Sequence, residues 1–201
     1  MNILFASSEV WPLVKTGGLG DVAYSLPHAL QEAGQDVKII MPAYRDVLAS
    51  CDEIKILGWM DSPFGYLTPS IRLLEAKHES MKTPLWLVDC QTLFDRPGNP
   101  YVNDDGQDWF DNAERFAQFS WAVSQIATGQ VVQGWRADVV HSNDWQCGLV
   151  AAFLEDYAER PKRVFTIHNL AYGGHFSRQQ FQDLKLPDVW WSSEGVEFYG
   201  G

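Results

Sequence analysis

Four consecutive residues near the amino terminus, Lys15, Thr16, Gly17 and Gly18, have the types and order of a phosphate-binding loop. Two glycines at the mouth of a helix let the backbone approach an anion closely, and the free N–H groups and dipole of the helix favour a phosphate there. The Lys15 ammonium would add a mobile positive charge on that phosphate. A flexible turn that carries an exposed lysine explains the same residues, so the loop alone leaves both interpretations open.

The same stretch also matches the nicotinamide-dinucleotide pattern GxGxxA, with Gly18, Gly20 and Ala23 at the fixed positions. That pattern should follow its strand directly, and an acidic residue should end the second strand to bind the ribose. Here about ten residues separate the first apolar run from the glycines, and residues 41–43 contain no acid. We therefore reject a dinucleotide site and an NAD-dependent oxidoreductase.

A second group of candidate residues, Asp144 and Trp145, follows a short apolar run at 138–141. The Asp144 carboxylate could accept hydrogen bonds from two sugar hydroxyls, and the Trp145 indole offers a flat face on which a sugar could stack. Asp144 could instead cap a helix that begins at residue 145, and the two roles can coexist. His141 and Asp144 do not indicate a zinc site, because the further ligands that zinc needs are missing.

Two more polar segments lie at the ends of apolar runs. A run at 163–168 ends in His168 and is followed by Asn169, and Glu9 lies just beyond the run at 2–7. A single histidine at a strand end is more often structural than catalytic. Polar groups that follow three different strands at one edge of a sheet favour a shared site, which we expect Glu9, Asp144 and His168 to form.

These side chains need a scaffold that brings strand ends together, and the hydrophobic runs indicate one. Strands are predicted at 2–7, 37–41, 85–88, 138–141 and 163–168. Helices are predicted at 19–33, 108–128 and 145–158. Apolar strands that alternate with helices indicate a parallel sheet with helices on both faces, a Rossmann-like α/β fold. In such sheets a ligand binds outside the carboxyl ends of the strands.

Three local details complete the predicted scaffold. The first helix should end at Gly34 and the second should be capped by Asp108. The alternating residues 53–90 indicate a β-hairpin, with a turn at Ser62-Pro63, before the strand at 85–88. The first helix is expected to bury one face, formed by Val22, Leu26, Ala29, Leu30 and Ala33.

The composition of the 201 residues excludes several classes of protein. A net charge of −11 leaves no basic surface for nucleic acid or for an anionic membrane. No apolar run reaches the ~18 residues of a membrane span, and Met1 leads almost directly into the first strand, so we expect a cytoplasmic protein. Three cysteines without a CxxC pair indicate neither a disulfide framework nor a zinc site. Nine tryptophans suit either a large core or sugar stacking.

Four segments together resemble the bacterial glycogen synthases and plant starch synthases. The segment Ser7–Val22 is similar to the opening signature of these enzymes nearly residue for residue. The segments Asp95–Gly98, His141–Trp145 and Phe165–Tyr172 are similar to three further motifs of the family, in the same order and at similar distances. Each motif alone would be weak, but four in register make a specific resemblance that spans essentially all 201 residues.

The resemblance implies the GT-B fold, in which two Rossmann-like domains face each other across a cleft. It implies a retaining transfer of glucose from ADP-glucose to the non-reducing end of an α-1,4-glucan, with no metal and no cofactor. It further implies catalytic roles for Lys15, Asp144 and His168, with His168 holding the 6-hydroxyl of the sugar rather than acting as a base. The donor phosphates would meet Lys15, Gly17 and Gly18. The glucose and acceptor pocket would be lined by Glu9, Asp144, Trp145, His168 and Asn169.

The chain departs from the family pattern at two positions and in its length. Asn143 stands where some relatives carry His, and Phe94 where some carry Tyr, and we expect each to remove a polar group near the rim of the pocket. The family continues into a nucleotide-binding C-terminal domain with an Arg/Lys pair and a glutamate. We therefore expect residues 1–201 to be an N-terminal, acceptor-side domain, truncated before its natural end and inactive alone. The alternative is a non-catalytic glucan-binding module of the same fold.

Overall fold

The computed structural model describes residues 1–64 and 70–200, and these build one sheet with helices packed on it. The seven strands are β1 (Asn2–Ala6), β2 (Asp36–Pro42), β3 (Glu53–Met60), β4 (Ile71–Lys77), β5 (Leu85–Asp89), β6 (Val139–Asn143) and β7 (Lys162–Thr166). Their order across the sheet is β3-β4-β5-β2-β1-β6-β7. The helices are α1 (Leu19–Glu32), α2 (Arg45–Ser50), α3 (Gln91–Phe94), α4 (Asn112–Ala127), α5 (Val150–Phe153) and α6 (Arg178–Asp183).

The sheet is parallel from β5 to β7 and antiparallel at its other edge. β2 pairs with β5 and β1, β1 with β6, and β6 with β7, all in parallel. β4 pairs antiparallel with both β5 and β3, so the predicted hairpin is confirmed. The predicted turn at Ser62-Pro63 borders residues 65–69, which lie outside the described residues. The Rossmann-like α/β fold class is therefore confirmed, with a hairpin added at one edge.

The central strands are buried on both faces of the sheet. Residues 3–6 of β1 and 85–89 of β5 are all buried, although successive side chains of a strand point to opposite faces. A strand can bury both sets only if helices or loops cover the sheet on both sides, as in other parallel α/β sheets. β7 differs, because its residues 162–165 are exposed.

The first helix has nearly the predicted length but only part of the predicted buried face. Its buried residues are Leu19, Gly20, Ala23 and Pro27, whereas Ala29 and Ala33 are exposed. At Gly20 this face lies close to the preceding loop, because a Cβ there would lie 3.3 Å from the Lys15 side chain. Leu26 and Leu30 are half-buried and pack against the core as predicted, whereas the prediction was wrong for Ala29 and Ala33. As predicted, Gly34 follows the helix, with a φ of 84°.

The long helix α4 begins four residues later than predicted. Asp108 forms an isolated antiparallel bridge with Val102 and caps nothing. The N-cap position is occupied by Asp111, whose side chain makes no capping hydrogen bond and instead pairs with the Arg96 guanidinium. The backbone bridge at Asp108 and the ion pair of Asp111 with Arg96 therefore override the local capping signal.

The helix predicted for 145–158 is three short pieces rather than one. A 3₁₀ turn (Trp145–Cys147) leads into α5, and a second 3₁₀ turn (Leu154–Asp156) follows it. The path stays right-handed, since Gly148 and Leu149 have φ values of −62° and −75°. The amide of Gly148 donates to the Trp145 carbonyl, which is the tighter i→i+3 bond of a 3₁₀ turn. Hydrophobic spacing does not distinguish such a turn from one turn of an α-helix.

None of the helices in the described ranges is long and apolar enough to cross a membrane.

Candidate functional site

The carboxyl ends of β1, β6 and β7 lie side by side, and the predicted site residues follow them. Ala6 of β1 lies opposite Ser142 of β6, and Asn143 lies opposite Thr166 of β7. Because parallel strands end at a common edge, the segments 7–9, 144–145 and 167–169 emerge together there. The structure thus brings Glu9, Asp144, Trp145, His168 and Asn169 to one edge of the sheet.

His168 is held from two sides by consecutive residues at the end of β6. Its backbone N–H donates to Asp144 Oδ1 at 2.7 Å. Its ring nitrogen Nε2 lies 3.0 Å from Asn143 Oδ1. Backbone and side chain of His168 are therefore both fixed relative to β6, although β7 ends two residues earlier, at Thr166.

Asp144 adopts a backbone conformation that residues other than glycine rarely accept. Its φ of 55° and ψ of 178° lie close to a region that is essentially restricted to glycine and that costs of order 1–3 kcal/mol. Its side chain makes no capping hydrogen bond, so the alternative in which it caps the following helix is wrong. Its Oδ1 accepts from the backbone N–H of His168, and no described residue donates a hydrogen bond to its Oδ2. That second oxygen can accept a hydrogen bond from a ligand.

Glu9 is a buried anchor for the loop that precedes α1. Its side chain is 3% exposed and accepts hydrogen bonds from four groups. Thr16 donates its backbone N–H at 2.5 Å and its hydroxyl at 2.6 Å, the Gly17 N–H donates at 3.4 Å, and the Tyr101 hydroxyl donates at 2.7 Å. The carboxylate thus holds the predicted phosphate loop in place from beneath.

Lys15 lies on the outer side of the same loop and pairs with Asp21 in the first turns of α1. Its Nζ lies 2.7 and 2.9 Å from the two carboxylate oxygens of Asp21. Both side chains are about half exposed, and a pair of this kind stabilises a fold by only about 0–1 kcal/mol. The Lys15 ammonium can therefore exchange Asp21 for another anion at little cost.

Gly17 and Gly18 form the mouth of α1, with Gly18 at the N-cap position. Both are exposed, and a Cβ at either position would meet nothing within 4 Å. Neither has a positive φ. The fold itself therefore does not require glycine at these two positions.

Trp145 and Asn169 line a cavity of about 690 Å³ beside the strand ends, together with Asp144. The Trp145 ring meets Phe116 edge-on at 5.0 Å and Phe176 at 5.5 Å. Gly174 lies against the indole, since a Cβ there would be 2.5 Å from its ring atoms. Much of the indole is thus already covered, and only its remaining surface is open to a ligand. Asn169 Oδ1 accepts from the Ala171 N–H.

Aromatic rings link the predicted phosphate loop to this cavity. Tyr101 bonds both Glu9 and the Ser8 hydroxyl, each at 2.7 Å. Its ring lies 5.9 Å from that of Phe116, which in turn contacts Trp145. Burial raises the pKa of Tyr101 well above its usual range, so the hydroxyl stays protonated and donates to Glu9.

Sequence reasoning missed Tyr101 and Asp21 and misplaced two other residues. Tyr101 follows a Pro/Gly-rich loop that carries no periodic signal, and its contact with Glu9 spans 92 positions of the chain. Asn143 and Phe94 were expected to remove polar groups near the rim of the pocket, and this is wrong, because both are 0% exposed. Phe94 packs edge-on against Tyr44, and Asn143 supplies a polar group directly to His168.

His141, one strand position before Ser142, is a second imidazole at this edge. Its Nε2 lies 2.8 Å from the Thr166 hydroxyl. Burial lowers the pKa of His141, and the positive charge that His168 can carry lowers it further. His141 is therefore neutral at neutral pH. Across 1–64 and 70–200, no three His, Cys, Asp or Glu side chains lie close enough to hold a metal ion.

The parallel sheet, its covered faces and the polar groups at its carboxyl edge define a Rossmann-like α/β domain. Residues 2–201 match the starch synthase catalytic domain family, and the chain belongs to that family.

Similar proteins agree with this assignment. A glycogen synthase from Hydrogenovibrio crunogenus is 48% identical over 200 residues, which are 99% of this chain and 41% of that protein. Glycogen synthase 2 of Nitrosococcus oceani is 49% identical over 198 residues, covering 98% of this chain and 40% of that protein. The catalytic domain of starch synthase IV from Arabidopsis thaliana, solved with ADP and acarbose, superposes with a TM-score of 0.76 at 26% identity, covering 96% of this chain and 39% of that one. The chain thus spans about two fifths of the length of these relatives.

Proposed function

We propose that the protein carrying this chain is a glycogen (starch) synthase. It transfers glucose from ADP-glucose, with retention of configuration, to the non-reducing end of an α-1,4-glucan. In this proposal the chain is the N-terminal, acceptor-side domain, and a C-terminal nucleotide-binding domain supplies the rest of the site. Relatives named glycogen synthase, of which this chain covers about 40%, support both parts. We place the protein in the cytoplasm, where it needs neither a metal nor a cofactor.

The observation that carries the proposal is the loop from Lys15 to Gly18. Glycine is required there neither by packing nor by backbone conformation, so its use is explained by a ligand that comes close to the backbone. The helix mouth offers N–H groups and a positive dipole end, and Lys15 is held only by an exposed ion pair. Buried Glu9 keeps the loop in this shape. These features suit the diphosphate of a nucleotide sugar.

The same groups suit the chemistry of the transfer. When the bond to the sugar breaks, negative charge develops on the departing diphosphate and positive charge on the sugar ring. Preorganised donors at the loop would stabilise the first, because fixed charges and dipoles need no reorganisation during the reaction. We assign this task to Lys15 and to the amides at Gly17 and Gly18.

The sugar would be positioned by groups that the fold leaves with free hydrogen-bonding capacity. Neither Asp144 Oδ2 nor Asn169 Nδ2 is hydrogen-bonded to a described residue, so one can accept from a hydroxyl and the other can donate to one. His168, clamped by β6, would hold the 6-hydroxyl of the glucose. The open part of the Trp145 indole would contact a sugar in the adjoining cavity.

A glucan-binding module without catalysis is the second candidate, and the ring-lined cavity is what favours it. Of the residues around the cavity, those with aromatic side chains are Phe116, Trp145, Phe165, Tyr172, Phe176, Phe181, Trp191 and Phe198. Rings of this kind bind sugars whether or not a reaction follows.

Transfer of radiolabelled glucose by the full-length protein separates the two candidates. We expect label from ADP-glucose to enter glycogen in a form that an α-1,4-specific exohydrolase releases. UDP-glucose, assayed in parallel, reports the donor preference. Retention of the protein on glycogen without any transfer from either donor would contradict the synthase and support the binding module.

A further inference from the structure

The side chain of Asn143 has only one orientation that satisfies its surroundings. It is fully buried at the end of β6, and its Nδ2 lies 2.9 Å from the Ala6 carbonyl oxygen and 3.4 Å from that of His141. A carbonyl oxygen can only accept a hydrogen bond, so the group that faces these two oxygens must be the NH₂. The opposite orientation would place two acceptors against each other in a buried site, without a donor between them. Asn143 Oδ1 must therefore face the other way.

Oδ1 faces His168, and this contact decides which ring nitrogen of His168 carries the hydrogen. Asn143 Oδ1 and His168 Nε2 are 3.0 Å apart. An amide oxygen only accepts, so Nε2 must be the donor, and a neutral imidazole has only one N–H. We propose that Asn143 is a positioning residue that holds neutral His168 as the Nε2–H tautomer and thereby makes Nδ1 a hydrogen-bond acceptor.

The remaining nitrogen is left available for a ligand. No residue at 1–64 or 70–200 makes a hydrogen bond to His168 Nδ1, while the backbone N–H of His168 donates to Asp144 Oδ1. An unprotonated Nδ1 can accept a hydrogen bond from a hydroxyl but cannot donate one. The tautomer follows from the contacts alone. That the hydroxyl belongs to the sugar substrate rests on the proposed function.

The neighbouring histidine shows why the partner matters. His141 Nε2 contacts the hydroxyl of Thr166 at 2.8 Å. A hydroxyl can donate or accept, so this contact leaves the tautomer of His141 open. The amide of Asn143 has no such freedom, because Ala6 fixes its orientation. The partner of His168 thus fixes its tautomer, whereas the partner of His141 does not. Thr166→Val removes the partner of His141 and therefore provides a matched control.

The tautomer can be measured directly on the full-length protein with ¹⁵N-labelled histidine. Two-bond ¹H–¹⁵N correlations distinguish a protonated from a bare ring nitrogen, and the His168 signals are those lost in His168→Gln. At a pH of about 9, above the range in which histidines titrate, we expect a protonated Nε2 and a bare Nδ1. A protonated Nδ1 with a bare Nε2 in the unsubstituted protein would overturn the proposal.

Two substitutions at residue 143 separate the effect on His168 from a loss of stability. Asn143→Leu and Asn143→Asp both remove the donor to Ala6, but only the aspartate keeps an acceptor beside Nε2. We expect Nε2 to stay protonated in the aspartate variant and to lose its hydrogen, wholly or in part, in the leucine variant. Thr166→Val should leave the His168 signals unchanged. Identical His168 spectra for the leucine variant and the unsubstituted protein would contradict a role of Asn143.

Kinetics then test the role of the bare Nδ1. Asn143→Leu should lower kcat/KM for glucose transfer about 10-fold, the effect expected when one hydrogen bond to the substrate is lost. Thr166→Val should change it less than about 2-fold. An Nε2–H tautomer in a protein that transfers no glucose would refute the proposed function alone. Transfer by a protein whose His168 is the Nδ1–H tautomer would refute this inference alone.

Discussion

At the scale of single residues, the site is organised by side chains that hold other groups in place. The Glu9 carboxylate accepts hydrogen bonds from Thr16, Gly17 and Tyr101. Asp144 uses one oxygen on the backbone of His168. Lys15 is held least firmly, because its ammonium is paired, among the described residues, only with an exposed carboxylate. Glu9 thus fixes the loop whose amides we assign to the diphosphate, whereas the Lys15 ammonium can leave Asp21 for a ligand.

Lys15→Ala should weaken transition-state binding by roughly 2–4 kcal/mol, because it removes one charge from the donor phosphates. This corresponds to a loss of about 30- to 900-fold in kcat/KM for ADP-glucose. Lys38→Ala is the matched control, since Lys38 also lies 2.7 Å from an aspartate but on β2, away from the site. An unchanged kcat/KM for Lys15→Ala would remove Lys15 from the donor site.

Glu9→Gln should lower the free energy of unfolding by about 1–3 kcal/mol, because an amide NH₂ would face a donor in a buried site. Urea unfolding of the full-length protein measures the change. Glu159→Gln is the control, since Glu159 forms only an exposed pair with Arg136 and should matter by less than about 1 kcal/mol. Equal midpoints for the two variants would show that the Glu9 network does not stabilise the loop.

At the scale of elements, the sequence predicts the strands well and the helix boundaries less well. β1, β2, β5 and β6 are apolar runs and appear within two residues of their predicted bounds. The start of α4 was misplaced because Asp108 lies in a backbone bridge with Val102 and Asp111 pairs with Arg96, and the spacing of apolar residues encodes neither contact. In the site, the predicted strand ends correctly located Asp144 and His168 at one edge of the sheet. The hydrogen bond between these two residues depends on the register of β6 with β7, which the sequence pattern does not reveal.

Gly174→Ala should destabilise the protein more than Gly34→Ala does. Both glycines have positive φ values, 66° and 84°, which a side chain makes unfavourable by about 1–2 kcal/mol. At Gly34 a Cβ would meet nothing within 4 Å, whereas at Gly174 it would lie 2.5 Å from the Trp145 ring. The second substitution must therefore also displace the indole, and we expect a weaker affinity for glucan. Equal unfolding midpoints and equal glucan binding for the two variants would contradict this packing.

At the scale of the whole molecule, the described residues leave many apolar side chains uncovered at the β7 edge and near residue 198. Val164, Phe165 and Ile167 are 44–53% exposed, and Phe198 and Tyr199 are exposed by 60% and 95%. Trp190 and Trp191, by contrast, pack against Phe153 and Phe181. Contiguous apolar surface of this kind is commonly an interface. It is consistent with the proposal that further domains of the protein complete this one.

Residues 1–201 alone should bind ADP-glucose only weakly, with a Kd in the millimolar range or above, which corresponds to about −4 kcal/mol or weaker. The reason is that the proposed contacts to base and ribose belong to the C-terminal domain. Calorimetric titration measures the affinity, and the radiolabel assay should detect no transfer to glycogen. Turnover by the purified piece, free of host synthase, would contradict the two-domain proposal.

The backbone conformation at residue 144 favours glycine, whereas the site uses the aspartate side chain. Glycine would relax the backbone at φ 55°, but it would also remove the carboxylate that secures His168. The relief of about 1–3 kcal/mol is opposed by the loss of a hydrogen bond to a carboxylate, about 1.5–3 kcal/mol, so Asp144→Gly should change the free energy of unfolding by less than about 2 kcal/mol. Selection for thermal robustness alone would therefore tolerate glycine here, whereas selection for turnover would retain aspartate. The aspartate at position 144 thus serves the site rather than the stability of the fold.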